Sequence, residues 1–115
     1  KMHKKIEKYL ITPNMMVSDA IESIVLNHER LVFVADKNKK LLGTLSEGDV
    51  LKMLLQKKSL DMPVSNAMNK SFIFLNISEK SKARKIFKDK GVTMIPIVKK
   101  NMIIASIIKI TDLIN

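Results

Sequence analysis

The chain has no cysteine and no tryptophan, and its 115 residues hold one tyrosine, four phenylalanines, two histidines and three glycines. Without cysteine there is no disulfide and no thiolate metal site, and a cytoplasmic location is the default expectation. His3 and His28 lack partners at ligand spacing, so no metal site is assigned and His28 is read as part of a helix face. Gly43, Gly48 and Gly91 do not form a phosphate-cradling loop. No apolar run approaches the ~18 residues needed to cross a bilayer, and the basic opening from Lys1 to Lys8 is not followed by the apolar core of a signal peptide. There is no nucleophile–base pair and no carboxylate dyad at useful spacing. No catalytic residue is assigned, and the chain is not read as an enzyme in its own right.

Acidic residues are also few: 11 against 21 Lys and Arg, for a net charge of +10. Residues 1–57 carry ten basic and seven acidic side chains, whereas residues 58–115 carry eleven and four. The excess falls on Lys80, Lys82, Arg84, Lys85, Lys88 and Lys90, around one predicted helix. Such a helix is either a solvated face or a surface for nucleic acid or anionic lipid. The scarce aromatics are not interleaved with the basic residues, which argues against base stacking and favours the solvated face.

What the chain does have is a repeat. Leu31-Val32-Phe33-Val34-Ala35-Asp36 and Met94-Ile95-Pro96-Ile97-Val98-Lys99 are apolar, β-rich runs 63 residues apart. The same offset maps Leu41–Ser46 onto Ile104–Lys109 and Gly48-Asp49-Val50-Leu51 onto Thr111-Asp112-Leu113-Ile114. Upstream the offset falls to 60, pairing Val17-Ser18-Asp19 with Ile77-Ser78-Glu79, so the second copy carries about three extra residues before its strand.

Each copy has the same predicted order. Ser18 is a candidate N-cap, with Asp19 at the positive end of the helix dipole and Ile21, Ile24, Val25 and His28 along one face. In the second copy Ser78 and Glu79 open a helix with Ala83, Ile86 and Phe87 inward, ended by Gly91. Two strands follow in each copy, joined by Lys37-Asn38-Lys39 or Lys99-Lys100-Asn101, turns short enough for an antiparallel hairpin. A helix after Ser46 carries Val50, Leu51, Leu54 and Leu55 along one side, and its counterpart after Thr111 is cut short. Residues 60–69, marked by Asp61-Met62-Pro63, read as a linker between units at 1–59 and 70–115. Units this small bury too little apolar surface to stand alone, so one fused body is expected. The eight methionines read as gap-filling core and linker residues. The ends at Lys1 and Asn115 suggest a fragment of a longer protein.

A strand-turn-strand ending in Gly43-Thr44-Leu45-Ser46-Glu47-Gly48-Asp49 and followed by an apolar helix resembles the CBS domain, whose signature is Gly-x-x-Thr/Ser-x-x-Asp. Ile95-Pro96-Ile97-Val98 resembles the family's preceding strand. The second copy departs from the signature, with Ser106 for Gly and Lys109 for Thr/Ser. The resemblance implies an α/β (α+β) fold of tandem CBS domains, two β-α-β-β-α repeats with pseudo-two-fold symmetry. Lys40–Val50, Ser59–Val64 and Ala67-Met68-Asn69 are similar to CBS pairs fused to bacterial sugar-phosphate nucleotidyltransferases and, less closely, to those on sugar-phosphate isomerases. That likeness implies a fused catalytic domain C-terminal to the chain.

The family binds adenosine-type ligands, so the resemblance implies a regulatory module sensing AMP, ADP, ATP or S-adenosylmethionine, with no resident cofactor, and a homodimer. An ionised aspartate accepts two hydrogen bonds and suits the vicinal hydroxyls of a ribose. A Ser or Thr hydroxyl at a helix N-terminus suits a phosphate. Asp49, Ser46 and Thr44 would serve those roles, with Ile73, Thr93, Met94 and Pro96 as the purine wall. A mirror pocket would combine Lys109 and Asp112 with Thr12, Arg30 and Leu31. Ser46-x-x-Asp49 is equally a helix capping box, which would occupy both side chains structurally. Two other functional classes stand beside the sensor: a dimerisation module with empty pockets, and a basic adaptor for nucleic acid or a membrane surface.

Overall fold

A computed structural model describes residues 6–113; His3 and the last position of the repeat, Ile114, lie outside the described residues. Strand β1 (Leu10–Ile11) runs parallel to β2 (Leu31–Ala35), which pairs antiparallel with β3 (Leu41–Ser46). Helix α1 (Val17–Leu26) makes the parallel crossover, and α2 (Glu47–Leu55) follows β3. The second sheet repeats this with β4 (Leu75–Asn76), β5 (Met94–Lys99) and β6 (Ile103–Lys109), and α3 (Ala83–Lys90) makes the crossover. A 3-10 turn, Ile110–Leu113, stands where α2 stands in the first copy. Both hairpins are antiparallel as predicted, and their registers shift at equivalent places, Val34/Ala35 and Ile97/Val98, 63 residues apart.

The strands read as continuous apolar runs because both faces of each sheet are covered. Alternation along β2 sends Val32 and Val34 into a core with α1 and α2, and Phe33 into a second core between the sheets. Along β5, Ile95 and Ile97 face α3, while Met94 and Val98 join Phe33, Tyr9 and Leu41 in the shared core. The two copies are thus held together by side chains from alternate strand positions. The segment at residues 60–69 is structural: Val64 is fully buried, and Leu60, Met62, Ala67 and Met68 pack on the first copy's core.

The helices differ from the predicted faces in three ways. The N-cap of α1 is Met16, without a side-chain cap, and Ser18 lies inside the helix. The buried side of α1 is Val17, Ala20 and Ile24; Val25 is exposed, and His28 lies beyond the helix end at φ 65°. In α2 the buried residues are Val50 and Met53, whereas Leu51, Leu54 and Leu55 are exposed. That helix is apolar on more than one side, so hydrophobicity alone does not say which stripe is inward.

The offset of 63 extends further upstream than the sequence pairing suggests. Ala20 and Ala83 are both buried, as are Ile24 and Phe87, and His28 and Gly91 both take left-handed backbone at φ 65° and 67°. The second copy therefore has three more residues between its cap, Asn76, and Ala83 than the first has between Met16 and Ala20. It has none extra overall: the parallel pairs Ile11–Val34 and Leu75–Ile97 show that the expected surplus before the second strand is offset by a shorter connection after β4. The 3-10 stretch Ile77–Lys82 opens on a capping box in which Glu79 accepts the Asn76 backbone N–H at 3.0 Å. Gly91 meets the left-handed requirement of a helix C-terminus at no steric cost, whereas His28 adopts it with a side chain.

Candidate functional site

The junction of β3 and α2 is held by reciprocal contacts. The Ser46 backbone N–H donates to Asp49 Oδ2 at 2.9 Å, and the Asp49 N–H donates to Ser46 Oγ at 3.1 Å. The capping box is therefore formed. It leaves chemistry to spare: Ser46 Oγ accepts in this contact, so its hydroxyl proton remains a donor. No donor among the described residues reaches Asp49 Oδ1. Of the first α2 amides, Glu47 N–H is taken by Arg30 O at 3.0 Å and Asp49 N–H by Ser46, leaving that of Gly48 for an anion at the helix N-terminus.

Beside this junction lies a cavity of about 260 Å³ between the two copies. Thr44, Ser46 and Asp49 line it from the first copy, and Ile73 and Met94 from the second. Five of the seven residues expected at the first pocket thus share one cavity. Thr93 and Pro96 are not in its lining: Thr93 is exposed, with its carbonyl accepting the Ile110 N–H at 2.8 Å, and Pro96 is buried in β5 opposite Ile107. Leu31, expected at the mirror pocket, lines this cavity instead, together with Phe33, Phe72 and Val92. The side chain of Leu31 is on the strand facing Ser46, directly across the hairpin register.

Asn69 and Ser71 complete the polar lining and were not singled out from sequence. The segment carrying them is bound to β3: Thr44 and Asn69 exchange backbone hydrogen bonds of 3.0 and 2.8 Å. Close approach is permitted by Gly43, where a Cβ would meet Met68 Cγ and Sδ at 2.8 Å and Asn69 O at 2.9 Å. The signature glycine is thus a place where another chain segment passes.

A second unanticipated residue is Asn27, buried at the end of α1. Its Nδ2 donates to Leu31 O at 2.8 Å, and its Oδ1 accepts the Glu29 and Arg30 N–H groups at 2.8 and 3.2 Å. It organises the turn that delivers Leu31 to the cavity. Its only sequence signal is a polar residue at the end of an apolar helix.

The mirror residues are arranged differently. Asp112 Oδ2 accepts the Lys109 N–H at 2.8 Å, repeating the Asp49 contact, so recurrence of the aspartate already has a capping explanation. Lys109 Nζ donates to Tyr9 Oη at 3.4 Å, and this hydrogen bond raises the lysine pKa above its ordinary value of 10.5. Lys8 also lies over the Tyr9 ring, at 5.3 Å. Arg30 forms a surface ion pair with Glu47 at 3.8 Å, and Thr12 lines a separate cleft with Glu7, Asp36 and Lys37. Thr12 and Leu31 thus line different cavities, whereas Thr44, Ser46 and Asp49 share one. Among the described residues no three His, Asp or Glu side chains gather at metal-binding distance, and no helix is long and apolar enough to cross a membrane.

The CBS-domain family model matches residues 2–56. OpuCA of Staphylococcus aureus superposes with a TM-score of 0.69 at 25% identity, over 90% of this chain and 85% of that one. A CBS domain protein from Pyrobaculum aerophilum complexed with AMP gives a TM-score of 0.73 at 19% identity, over 91% and 82%. The chain has the tandem CBS fold. CBSX2 in complex with AMP agrees, with a TM-score of 0.72 at 22% identity over 91% of this chain and 83% of that one. No curated protein matches the chain by sequence. In CBS terms, the family model covers the copy that keeps Gly43, Ser46 and Asp49; the copy with Ser106 and Lys109 is placed by its fold.

Proposed function

We propose that this chain is a regulatory module that binds one adenine nucleotide in the cavity between its CBS copies. The observation that carries this reading is the convergence of Thr44, Ser46 and Asp49 with Ile73 and Met94 on one cavity. Asp49 Oδ1 accepts from a ribose hydroxyl, while the Ser46 hydroxyl and the Gly48 N–H meet the phosphate. Leu31, Ile73, Val92 and Met94 offer the apolar wall against which a purine packs. AMP complexes of two proteins with this fold support the ligand class.

In this reading the nucleotide acts by binding one arrangement of the copies better than another, biasing an attached domain. The attached domain we propose is a sugar-phosphate nucleotidyltransferase, on the likeness of Lys40–Val50 and the linker, and the working unit is a homodimer. The exposed Leu51, Leu54 and Leu55 support self-association.

A thermal-shift series with AMP, ADP, ATP and S-adenosylmethionine tests the ligand. At 100 times its dissociation constant the right ligand should stabilise the fold by about 2.7 kcal/mol. No shift with any of the four would remove the sensor reading and leave the dimerisation module.

A further inference from the structure

The chain carries 21 Lys and Arg among 115 residues, yet none of the described residues lining the cavity between the copies is Lys, Arg or His. The one ionisable side chain in that lining is Asp49. The other polar groups are neutral: the hydroxyls of Thr44, Ser46 and Ser71, and the amide of Asn69, whose Oδ1 accepts the Ser71 N–H at 3.0 Å.

Cations come near without entering. Lys70 lies between two lining residues, but it is exposed and outside the lining. Arg30 precedes Leu31, but its side chain is 74% exposed and turned to Glu47 at 3.8 Å. The repeat counterpart of Ser46 is Lys109, whose Nζ is held on Tyr9 at 3.4 Å. The first copy therefore presents a neutral hydroxyl where the second carries a cation.

We infer that this cavity counts phosphates: it holds an adenosine ligand with one phosphoryl group and discriminates against the diphosphate and triphosphate. The inference rests on the nucleotide reading above and narrows it. One phosphoryl group at the junction shares the Ser46 hydroxyl, the Gly48 N–H and the positive end of α2. A second and a third would bring more negative charge to a site whose own charge is a carboxylate. No fixed cation there offsets the desolvation or the repulsion.

Volume acts in the same direction. A cavity of about 260 Å³ is smaller than the roughly 300–1,000 Å³ usual for ligand pockets. A longer phosphate chain must therefore extend into solvent or push the base off the wall of Ile73 and Met94. The net charge of +10 opposes this preference, because it attracts polyphosphates at long range. Salt screens that attraction and leaves the preference of the cavity.

Titration calorimetry of the 115-residue chain with AMP, ADP and ATP tests the inference. It is run without divalent cations at about 0.15 M salt, where exposed charges more than about 8 Å apart are largely screened. The dissociation constant should rise by about ten-fold or more from AMP to ATP. Ser71→Lys brings an ammonium to the polar side of the cavity from an exposed position. It should narrow the ratio of ATP to AMP dissociation constants by about three-fold or more, mainly by tightening ATP.

ATP binding as tightly as AMP to the unmodified protein overturns the selectivity, with or without the variant, and leaves the nucleotide reading standing. An unchanged ratio in a Ser71→Lys protein with a normal melting curve overturns the assignment of the selectivity to the missing cation. Binding of none of the three overturns the inference outright. The thermal-shift series, which includes S-adenosylmethionine, then decides separately whether the sensor reading survives.

Discussion

Lys109 Nζ reaches the Tyr9 hydroxyl at 3.4 Å, and position 109 is the repeat counterpart of Ser46. Where the first copy presents a small hydroxyl to a cavity, the second presents a long cation that contacts its own protein. The capping aspartate is kept in both, at 2.9 and 2.8 Å from the backbone N–H it binds. The difference between the two candidate pockets therefore lies in one side chain more than in the backbone.

That difference sets a stoichiometry. Calorimetric titration with AMP should show one site per chain. Lys109→Ser should leave that site within about two-fold in affinity, because Lys109 is absent from its lining. Two equivalent sites in the unmodified protein would contradict the assignment of Lys109 to a self-contact.

Gly43→Ala tests the close passage of the linker. Its Cβ would lie 2.9 Å from a backbone oxygen that cannot move independently, so about 1–3 kcal/mol of stability should be lost, as for other forced overpacking. Urea denaturation measures this. A change below a few tenths of a kcal/mol would mean that the segment from Met68 to Asn69 is not fixed against β3.

Asn27→Leu preserves approximate volume and removes three hydrogen bonds in a buried turn. Leaving the Glu29 and Arg30 N–H groups and the Leu31 carbonyl without that partner should cost about 1–3 kcal/mol. The same variant should weaken AMP binding, since the turn positions Leu31. Unchanged affinity together with lost stability would confine Asn27 to a folding role.

Glu79 provides the pH dependence. Its carboxylate is held below the ordinary 4.5 by the Asn76 backbone N–H and then by Lys82. Because the folded value is lowered, its stabilisation is full above 4.5 and is lost as pH falls below that value through the folded one. Glu79→Gln keeps a neutral acceptor in place. The difference in melting temperature from the unmodified protein should be largest near neutrality and close below pH 4.5; a difference independent of pH would exclude the charge as its source.

Much of the fold was legible because the repeat is written in strand residues that are buried on both faces. Val32-Phe33-Val34 and Ile95-Pro96-Ile97 must be apolar at every position, so the offset survives between them. The helices were less legible. Nothing in Val50-Leu51-Lys52-Met53-Leu54-Leu55 marks Met53 as inward and the leucines as outward, since the helix is apolar on more than one side. Of the candidate site, the residues on the signature were found by resemblance. Asn69 and Ser71 were not, because they reach the cavity through a non-repeating linker whose path is set by its contact with Thr44. Leu31, expected at the mirror pocket, lines this cavity instead; β2 is buried on both faces, so its uniformly apolar sequence does not show which neighbour each residue meets.

The central claim is that Asp49 does more than cap α2, and AMP affinity of Asp49→Ala measured by titration calorimetry tests it most directly. Loss of the cap alone should cost about 0.5–2 kcal/mol of stability. Loss of a charge-assisted ribose contact should raise the dissociation constant by about 10- to 150-fold, equivalent to about 1.5–3 kcal/mol. A variant that stays folded and binds AMP as tightly as the unmodified protein would contradict the account and return Asp49 to the capping box.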